Sequence, residues 1–461
     1  MPRLPLKTAF LTSLILGFTL AGWAQEAKHL NLQASFQIAF QKNPNLKIAK
    51  AKLEQAKAKL GQARTGFFPK ITGQANYARL DYAPFIPLKS FGNIFPGGGS
   101  FGGFSGGATP KKITIGRAEN YGATIQLQQP IFTGFKIWNG YAIAKHNEKA
   151  AEDNYRKAKN ELIFNVEKAY WNLVKAQKFE EVAQAAIRQM QSHMKDLNNM
   201  YRVGMLTKNE ILKAKVQLSN VKLMELQARH AKKLAQTAFC STVGLPLDTE
   251  VVPDEQLRVL PFPIESVQKA IALAKKNRPD LKMLAENLKI GQKMVDMSKG
   301  SYLPTVAFVA NYGYKYPDRE YNPDFYATWT VSVVAQMNLF DWGETYYKQA
   351  ESESQLAQIQ NTAKMANDGV ILEVTQSYLS AKEAEEKIRL SQQAKEQAEE
   401  NFRVTEDKFK QGMVTNSDFL DANSLLTQAK NNYISALADY RISIAKLLKA
   451  VGIIETEMKK P

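Results

Sequence analysis

Apolar positions recur along this chain with two periods. Between Lys136 and Met200 there is no proline and one glycine, Gly140, so about 65 residues suit a single helix, roughly 98 Å long at 1.5 Å per residue. Its later part spaces Ala186, Met190, Met194, Leu197 and Tyr201 three or four residues apart, and Ala394, Ala398, Phe402, Thr405 and Phe409 repeat the spacing. A returning stretch carries Phe419, Ala422, Leu426, Ala429, Tyr433, Ala436 and Tyr440 at alternating intervals of three and four, the pattern of a coiled-coil seam. This seam is rich in alanine and polar residues, too thin for a free-standing core. Many helices sharing such seams in a tube suit it better.

The second period is two. Val306, Phe308, Ala310, Tyr312 and Tyr314 alternate with less apolar residues, as do Trp329, Val331, Val333, Ala335 and Met337. Earlier in the chain Ile71, Gly73, Ala75 and Tyr77 pair with Tyr121, Ala123, Ile125 and Leu127. Segments of about ten residues with aromatic ends read as barrel strands facing lipid. A soluble sandwich would leave the same trace in the strands alone. Four strands cannot close a membrane barrel, and an open edge in lipid would leave backbone groups unpaired. If the strands cross a membrane, several chains share one barrel. Three copies would supply twelve strands, a number the sequence permits without counting.

Both periods occur twice. Residues 34–77 match 269–312 at a constant offset of 235, pairing Pro44 with Pro279, Pro69 with Pro304 and Asn76-Tyr77 with Asn311-Tyr312. Residues 131–244 match 339–452 at an offset of 208, pairing Phe132 with Phe340, Tyr170 with Tyr378 and Gly204-Met205 with Gly412-Met413. The fall from 235 to 208 places 27 additional residues in the first copy, in the Gly- and Pro-rich stretch 83–110. That stretch lacks the Gly-Lys-Ser/Thr and the helix start of a phosphate cradle. The organisation expected is a signal peptide at 1–24, a first repeat at 25–245, a linker at 246–265, a second repeat at 266–453 and a tail at 454–461.

Between the outgoing and returning helices stand Val203-Gly204-Met205-Leu206-Thr207 and Gln411-Gly412-Met413-Val414-Thr415. In each, a glycine can end one helix in the left-handed conformation and a threonine can cap the next. The turn is tight, so the two helices run antiparallel.

Composition narrows the setting. Arg3 and Lys7 precede an apolar run from Ala9 to Leu20 and the small residues around Gly22-Trp23-Ala24, the form of an export signal. No later stretch approaches about 20 apolar residues, so membrane insertion must use strands. The chain stays basic, with a formal net charge of +17 before the signal is removed, but its lysines are scattered along helical faces. That argues for solvated faces or attraction to anionic lipid, and against a nucleic-acid binder. The single Cys240 excludes an internal disulfide and reads as a buried thiol; no cysteine follows the signal to carry a lipid anchor. His29, His146, His193 and His230 share no metal-ligand spacing and read as isolated surface residues. No nucleophile arrangement accompanies them, Glu385-Glu386 and Glu399-Glu400 lie in charged helical stretches, and no enzyme, metal or cofactor is expected.

These motifs together resemble the TolC-like outer membrane efflux family over essentially the whole mature chain. The resemblance rests on Asn43-Pro44-Asn45-Leu46 and Arg278-Pro279-Asp280-Leu281, on Phe68-Pro69 and Leu303-Pro304, on Pro130-Ile131-Phe132 and Asn338-Leu339-Phe340, and on the two glycine turns. It implies a homotrimer with a twelve-stranded barrel in the outer membrane, continued across the periplasm by a helical tunnel. A periplasmic adaptor and an inner-membrane transporter would deliver drugs, metals or proteins to it. The resemblance assigns adaptor contact to the turns Val203-Gly204-Met205 and Gln411-Gly412-Met413. It assigns the constriction to Asp418 and Asp421, which a trimer would arrange as a ring of six acids favouring cations. Glu210 and Phe409 fall at positions that contact the gate helices. The chain departs from the family in carrying Val414 where an arginine often closes a salt bridge, and Phe409 where tyrosine is frequent. Lys208, Lys408 and Lys410 are candidates for that missing cation, and Lys213, the repeat equivalent of Asp421, tempers the ring. A non-transporting periplasmic scaffold or adhesin would need the helices, but not duplicated hairpins with lipid-compatible faces.

Overall fold

The computed structural model describes residues 28–87, 112–317 and 324–458, which leaves the export signal and most of the Gly-rich stretch outside the described residues. A first series of elements runs β1 (Lys28–Leu30), α1 (Leu32–Lys42), α2 (Pro44–Thr65), β2 (Lys70–Arg79), β3 (Phe85–Pro87), β4 (Lys112–Thr114), β5 (Glu119–Thr133), α3 (Lys136–Arg202) and α4 (Lys208–Val243). A second runs β6 (Val251–Pro253), α5 (Val267–Asn277), α6 (Pro279–Lys299), β7 (Thr305–Tyr316), β8 (Tyr326–Gln336), α7 (Glu344–Lys410), α8 (Asn416–Val451) and α9 (Ile454–Met458). Helices α3 and α7 each have 67 residues and α4 and α8 each have 36. Their ends lie 208 residues apart, and α1 and α2 begin 235 residues before α5 and α6.

By their contacts the described residues divide into two units. The first contains residues 28–42, Asn165–Val259 and Lys387–Arg441. At one place in its core Tyr170, Trp171, Phe239 and Tyr440 are fully buried, and Tyr170 meets Trp171 and Phe239 edge-on at centroid distances of 5.3 and 6.0 Å. Each such side chain contributes roughly 1.5–3 kcal/mol by leaving water. The Tyr170 hydroxyl donates to Leu30 O at 3.1 Å and accepts from Glu255 N at 3.1 Å. Those bonds anchor both flanks of the parallel pair β1–β6, in which Lys28 lies opposite Val251. Neither short strand was legible in sequence, because three residues carry no period. Strand β6 falls within the expected linker 246–265. Cys240 is buried beside Thr249 O at 3.5 Å, as the sequence implied, and burial pushes its thiol pKa up.

The second unit contains Asn43–Phe164, Leu260–Glu386 and residues 442–458. Its sheet has the antiparallel order β2-β5-β7-β8. The register collects one apolar face, with Ile71, Leu127, Ala310 and Val331 in one row and Gly73, Ile125, Tyr312 and Trp329 in the next. The opposite face holds Thr72, Gln126, Asn311 and Thr330, then Gln74, Thr124, Gly313 and Thr328. One side therefore suits hydrocarbon and the other suits water. Every residue of β2 and nearly every residue of β8 is exposed, since the outer edges of both pair with no other strand among the described residues. Strands β3 and β4 pair at the base of the long insertion.

Below the strands, proline starts both α2 and α6, where its missing N–H costs nothing. Asn43 caps α2, accepting from Asn45 N at 2.9 Å and Leu46 N at 3.2 Å. Its counterpart Arg278 instead forks onto Asp280 at 2.9 and 2.6 Å, and reaches Glu373 at 2.6 Å and Ala450 O at 3.0 Å. Tyr378 donates its hydroxyl to Glu265 O at 3.1 Å, the same bond between equivalent residues that Tyr170 makes to Leu30 O.

Candidate functional site

The two helix turns lie in the first unit and share one backbone design. Gly204 has φ +77° and Gly412 φ +74°. Met205 N donates to Met200 O and Met413 N to Lys408 O, each at 2.9 Å. These bonds reach back over the last helical turn and satisfy carbonyls that would otherwise be orphaned. A Cβ on either glycine would meet nothing within 4 Å, so the positive φ, and no lack of room, demands glycine there. Val203, Met205 and Met413 are all exposed at the tips, as is Gln411.

Beneath the turns the seam closes around aromatic rings. Phe402, Phe409 and Phe419 are buried with Met190, Leu197, Ile211, Ala422 and Leu426. Phe419 lies 5.3 Å from Phe402 and 5.6 Å from Phe409. His193 is buried among them, only 3% exposed, stacked on Phe419 at 3.7 Å and 4.9 Å from Phe409. The expectation that the histidines are isolated surface residues is thus wrong for His193. It is also wrong for His146, which is half-buried and bonded to Glu286 at 2.6 Å. A signal was present: His193 stands three residues after Met190 and four before Leu197, on the seam itself.

The ring is held by a polar chain that sequence reasoning did not assemble. His193 Nε2–H donates to Asn416 Oδ1 at 2.7 Å. Asn416, itself buried, donates through Nδ2 to Glu210 O at 3.2 Å and Glu210 Oε2 at 3.0 Å. Lys213 donates to Glu210 Oε1 at 3.0 Å. Burial holds the His193 pKa below its ordinary value, against the smaller opposing effect of the Asn416 bond. The Asn416 bond, and then Lys213, holds Glu210 below the usual carboxylate range. Glu210 thus takes Lys213 and Asn416 as partners, where Lys208, Lys408 and Lys410 had been the candidates; Lys410 pairs with Glu406 at 3.1 Å. Phe409 fills the aromatic core and brings no hydroxyl to the seam, and Val414 packs against the same core.

Asp418 and Asp421 are exposed. Asp418 forms a reciprocal cap with Thr415: its carboxylate accepts from Thr415 N at 2.8 Å and from Thr415 Oγ1 at 2.7 Å, and Asp418 N donates to Thr415 Oγ1 at 3.2 Å. These bonds lower the Asp418 pKa, so it stays charged at neutral pH. Glu210 occupies the equivalent place after Thr207, but Thr207 makes no side-chain cap because Glu210 is engaged with Asn416 and Lys213.

The family model of the outer membrane efflux protein matches residues 36–245 and 270–453, both copies of the element series and both turns. The chain belongs to the outer membrane efflux protein family. Efflux through the outer membrane is accordingly its activity. Among relatives of this efflux protein, the alkaline protease secretion protein AprF of Pseudomonas aeruginosa is 23% identical over 73% of this chain and 70% of its own length. The outer membrane protein TolC of Vibrio cholerae is 21% identical over 95% and 93%. The crystal structure of the Campylobacter jejuni CmeC outer membrane channel has the same fold, with a TM-score of 0.76 and 20% identity over 98% of this chain and 94% of that one.

Proposed function

We propose that three copies of this chain form one passive export duct. Their twelve strands close a barrel in the outer membrane, and their long helices continue it as an antiparallel coiled-coil tunnel in the periplasm. The chain itself is a tandem repeat, 25–245 and 266–453, joined by 246–265 and preceded by a signal peptide at 1–24. The observation that carries the reading is the four-stranded sheet, apolar on one face and polar on the other, with both outer edges unpaired among the described residues. In lipid such edges must find partners, and further copies supply them without new elements.

The tunnel opens and closes at the helix turns. Asp418 and Asp421 line the constriction, where three copies contribute six carboxylates that draw cations and slow anions. Glu210 and Phe409 hold the gate helices together. The exposed turns Val203-Gly204-Met205 and Gln411-Gly412-Met413 contact a periplasmic adaptor, which connects the duct to an inner-membrane transporter. AprF carries secretion in its name and CmeC is a channel, and this chain serves an assembly of the same general kind. The energy for export comes from the transporter, so the duct needs no chemistry of its own.

Single-channel recording of the purified protein in planar bilayers tests the reading. Wild-type channels are expected to be cation-selective and blocked by multivalent cations from the gate side. Asp418→Ala with Asp421→Ala should weaken that block at least tenfold. Unchanged block would remove these residues from the constriction, and a soluble periplasmic monomer with no conductance would overturn the duct itself.

A further inference from the structure

The register inside the sheet specifies how one chain meets the next, given the three-chain reading above. Strand β2 pairs with β5 so that Lys70 faces Gln128 and Ala75 faces Ala123. Moving the β2 residues by 235 and the β5 residues by 208 turns these into Thr305 facing Gln336 and Ala310 facing Val331. Both pairs are the ones observed between β7 and β8. The strand-to-helix turns agree as well. Gly134 and Phe135 have φ of 60° and 62°, and Trp342 and Gly343, their equivalents, have 54° and 86°. The same transposition can therefore be applied to the remaining ladder, β5 with β7, which joins the two copies.

That ladder has no counterpart within the chain. Strand β5 has 15 residues and β8 only 11. The extra length of β5 exists because Gln129, Pro130, Phe132 and Thr133 pair with Phe308, Ala307, Val306 and Thr305, with a bulge at Ile131. Their equivalents after β8 pair with no strand among the described residues, and Leu339, Phe340 and Trp342 are 89%, 74% and 88% exposed. Strand β2, the equivalent of β7, is exposed along its whole length. An exposed apolar segment past β8 and the outer edge of β2 are thus left over among the described residues, in the places the transposition requires.

We propose that β8 pairs antiparallel with β2 of a second copy in a single register: Val333 opposite Tyr77, Val334 opposite Asn76 and Ala335 opposite Ala75. The ladder runs past the present end of β8, bulges at Leu339, and places Phe340 opposite Ile71 and Asp341 opposite Lys70. Val333 and Tyr77 continue the apolar face from chain to chain, and a β-branched residue opposite an aromatic one is a stabilising cross-strand pair. The two seams differ at one place. Gly134 and Gly300 touch backbone to backbone, with a Cβ on Gly134 falling 2.2 Å from Gly300 O. Their equivalents Trp342 and Thr65 both carry side chains, so the turn between chains is held wider than the turn within a chain.

Cysteine pairs test the register. In a Cys240→Ala background, Val333→Cys is combined with Tyr77→Cys, Val334→Cys with Asn76→Cys, and, as a slipped control, Val333→Cys with Gly73→Cys. Outer membranes are oxidised with copper phenanthroline and run on non-reducing gels, alongside membranes treated with an amine crosslinker. At least one in-register pair should give covalent trimers, with the slipped pair at least tenfold less efficient. Amine-crosslinked trimers without the in-register disulfides, or with the slipped one dominant, would overturn the register and leave the trimer standing. Monomers alone under both reagents would overturn the three-chain reading on which the register rests.

Discussion

At the scale of single residues, His193 is the group whose chemistry most affects the gate region. Its ring supplies one donor to Asn416 and otherwise stacks on Phe419 inside an apolar cluster, so a second ring proton would enter poorly solvated surroundings. Acidic groups feel it from both sides, Asp196 on its own helix and Glu406 on α7, and Glu210 of α4 is linked to it through Asn416. Burial still dominates and the folded pKa lies below the unfolded value of about 6.5. With a lowered pKa the unfolded chain binds more protons in that window, so stability rises with pH there and is lost as pH falls from about 6.5 through the folded value. Protection factors of the amides in 190–215 and 405–425, that is exchange corrected for its intrinsic pH dependence, should therefore fall between pH 7.5 and 5.5. His193→Gln should flatten that dependence, and His193→Ala, which empties a packed aromatic site, should cost about 3 kcal/mol at neutral pH. An unchanged pH slope in His193→Gln would show that another group titrates. The spacing of His193 from Met190 and Leu197 marks the seam, although the residue reads as a surface histidine when taken alone, and no local pattern reveals Asn416, more than 200 residues away, as its partner.

At the scale of elements, the two copies obey the same local rules with different residues. Glycine ends α3 and α7 in the left-handed region, so Gly204→Ala or Gly412→Ala should each destabilise its hairpin by about 1 kcal/mol, and the pair by about twice that. Gly412→Asn should cost less, because asparagine tolerates this conformation. Thermal melting of the three variants would check the order. An alanine variant as stable as the parent would show that the turn can readjust. The first long helix, the strand faces and the left-handed turns were readable in the sequence, because each is dictated by periodicity or by a residue with special backbone freedom. The strand sets drawn from alternation are found in register except at one end of the second hairpin, where Met337 lies beyond β8 and Tyr314 pairs with Ala327. The pairs β1–β6 and β3–β4 were not readable: three-residue strands have no period, and they exist only where distant segments are brought together.

At the scale of the whole molecule, the sheet makes its own test. Val331 lies mid-strand on the apolar face and Thr330 beside it on the polar face. Val331→Lys should cost about 2–4 kcal/mol of assembly in lipid, whereas Thr330→Lys should assemble and shift the channel toward anions. Heat-modifiable trimer on gels and reversal potentials distinguish the two, and equal damage from both would contradict the assignment of faces. By itself the sequence determined the matching offsets of 235 and 208, the extent of the first long helix, the turns and the alternating faces of the strands, since these follow from short-range spacing. Only the tertiary structure decided what the duplicated positions do. Glu210 and Asp418 stand at the same place in the two copies, but one reaches across to Asn416 and pairs with Lys213 on its own helix, and the other closes a cap on Thr415. The residues brought against each copy are not copies of each other. A repeat transmits the backbone plan, and side-chain partners depend on neighbours that no local pattern encodes.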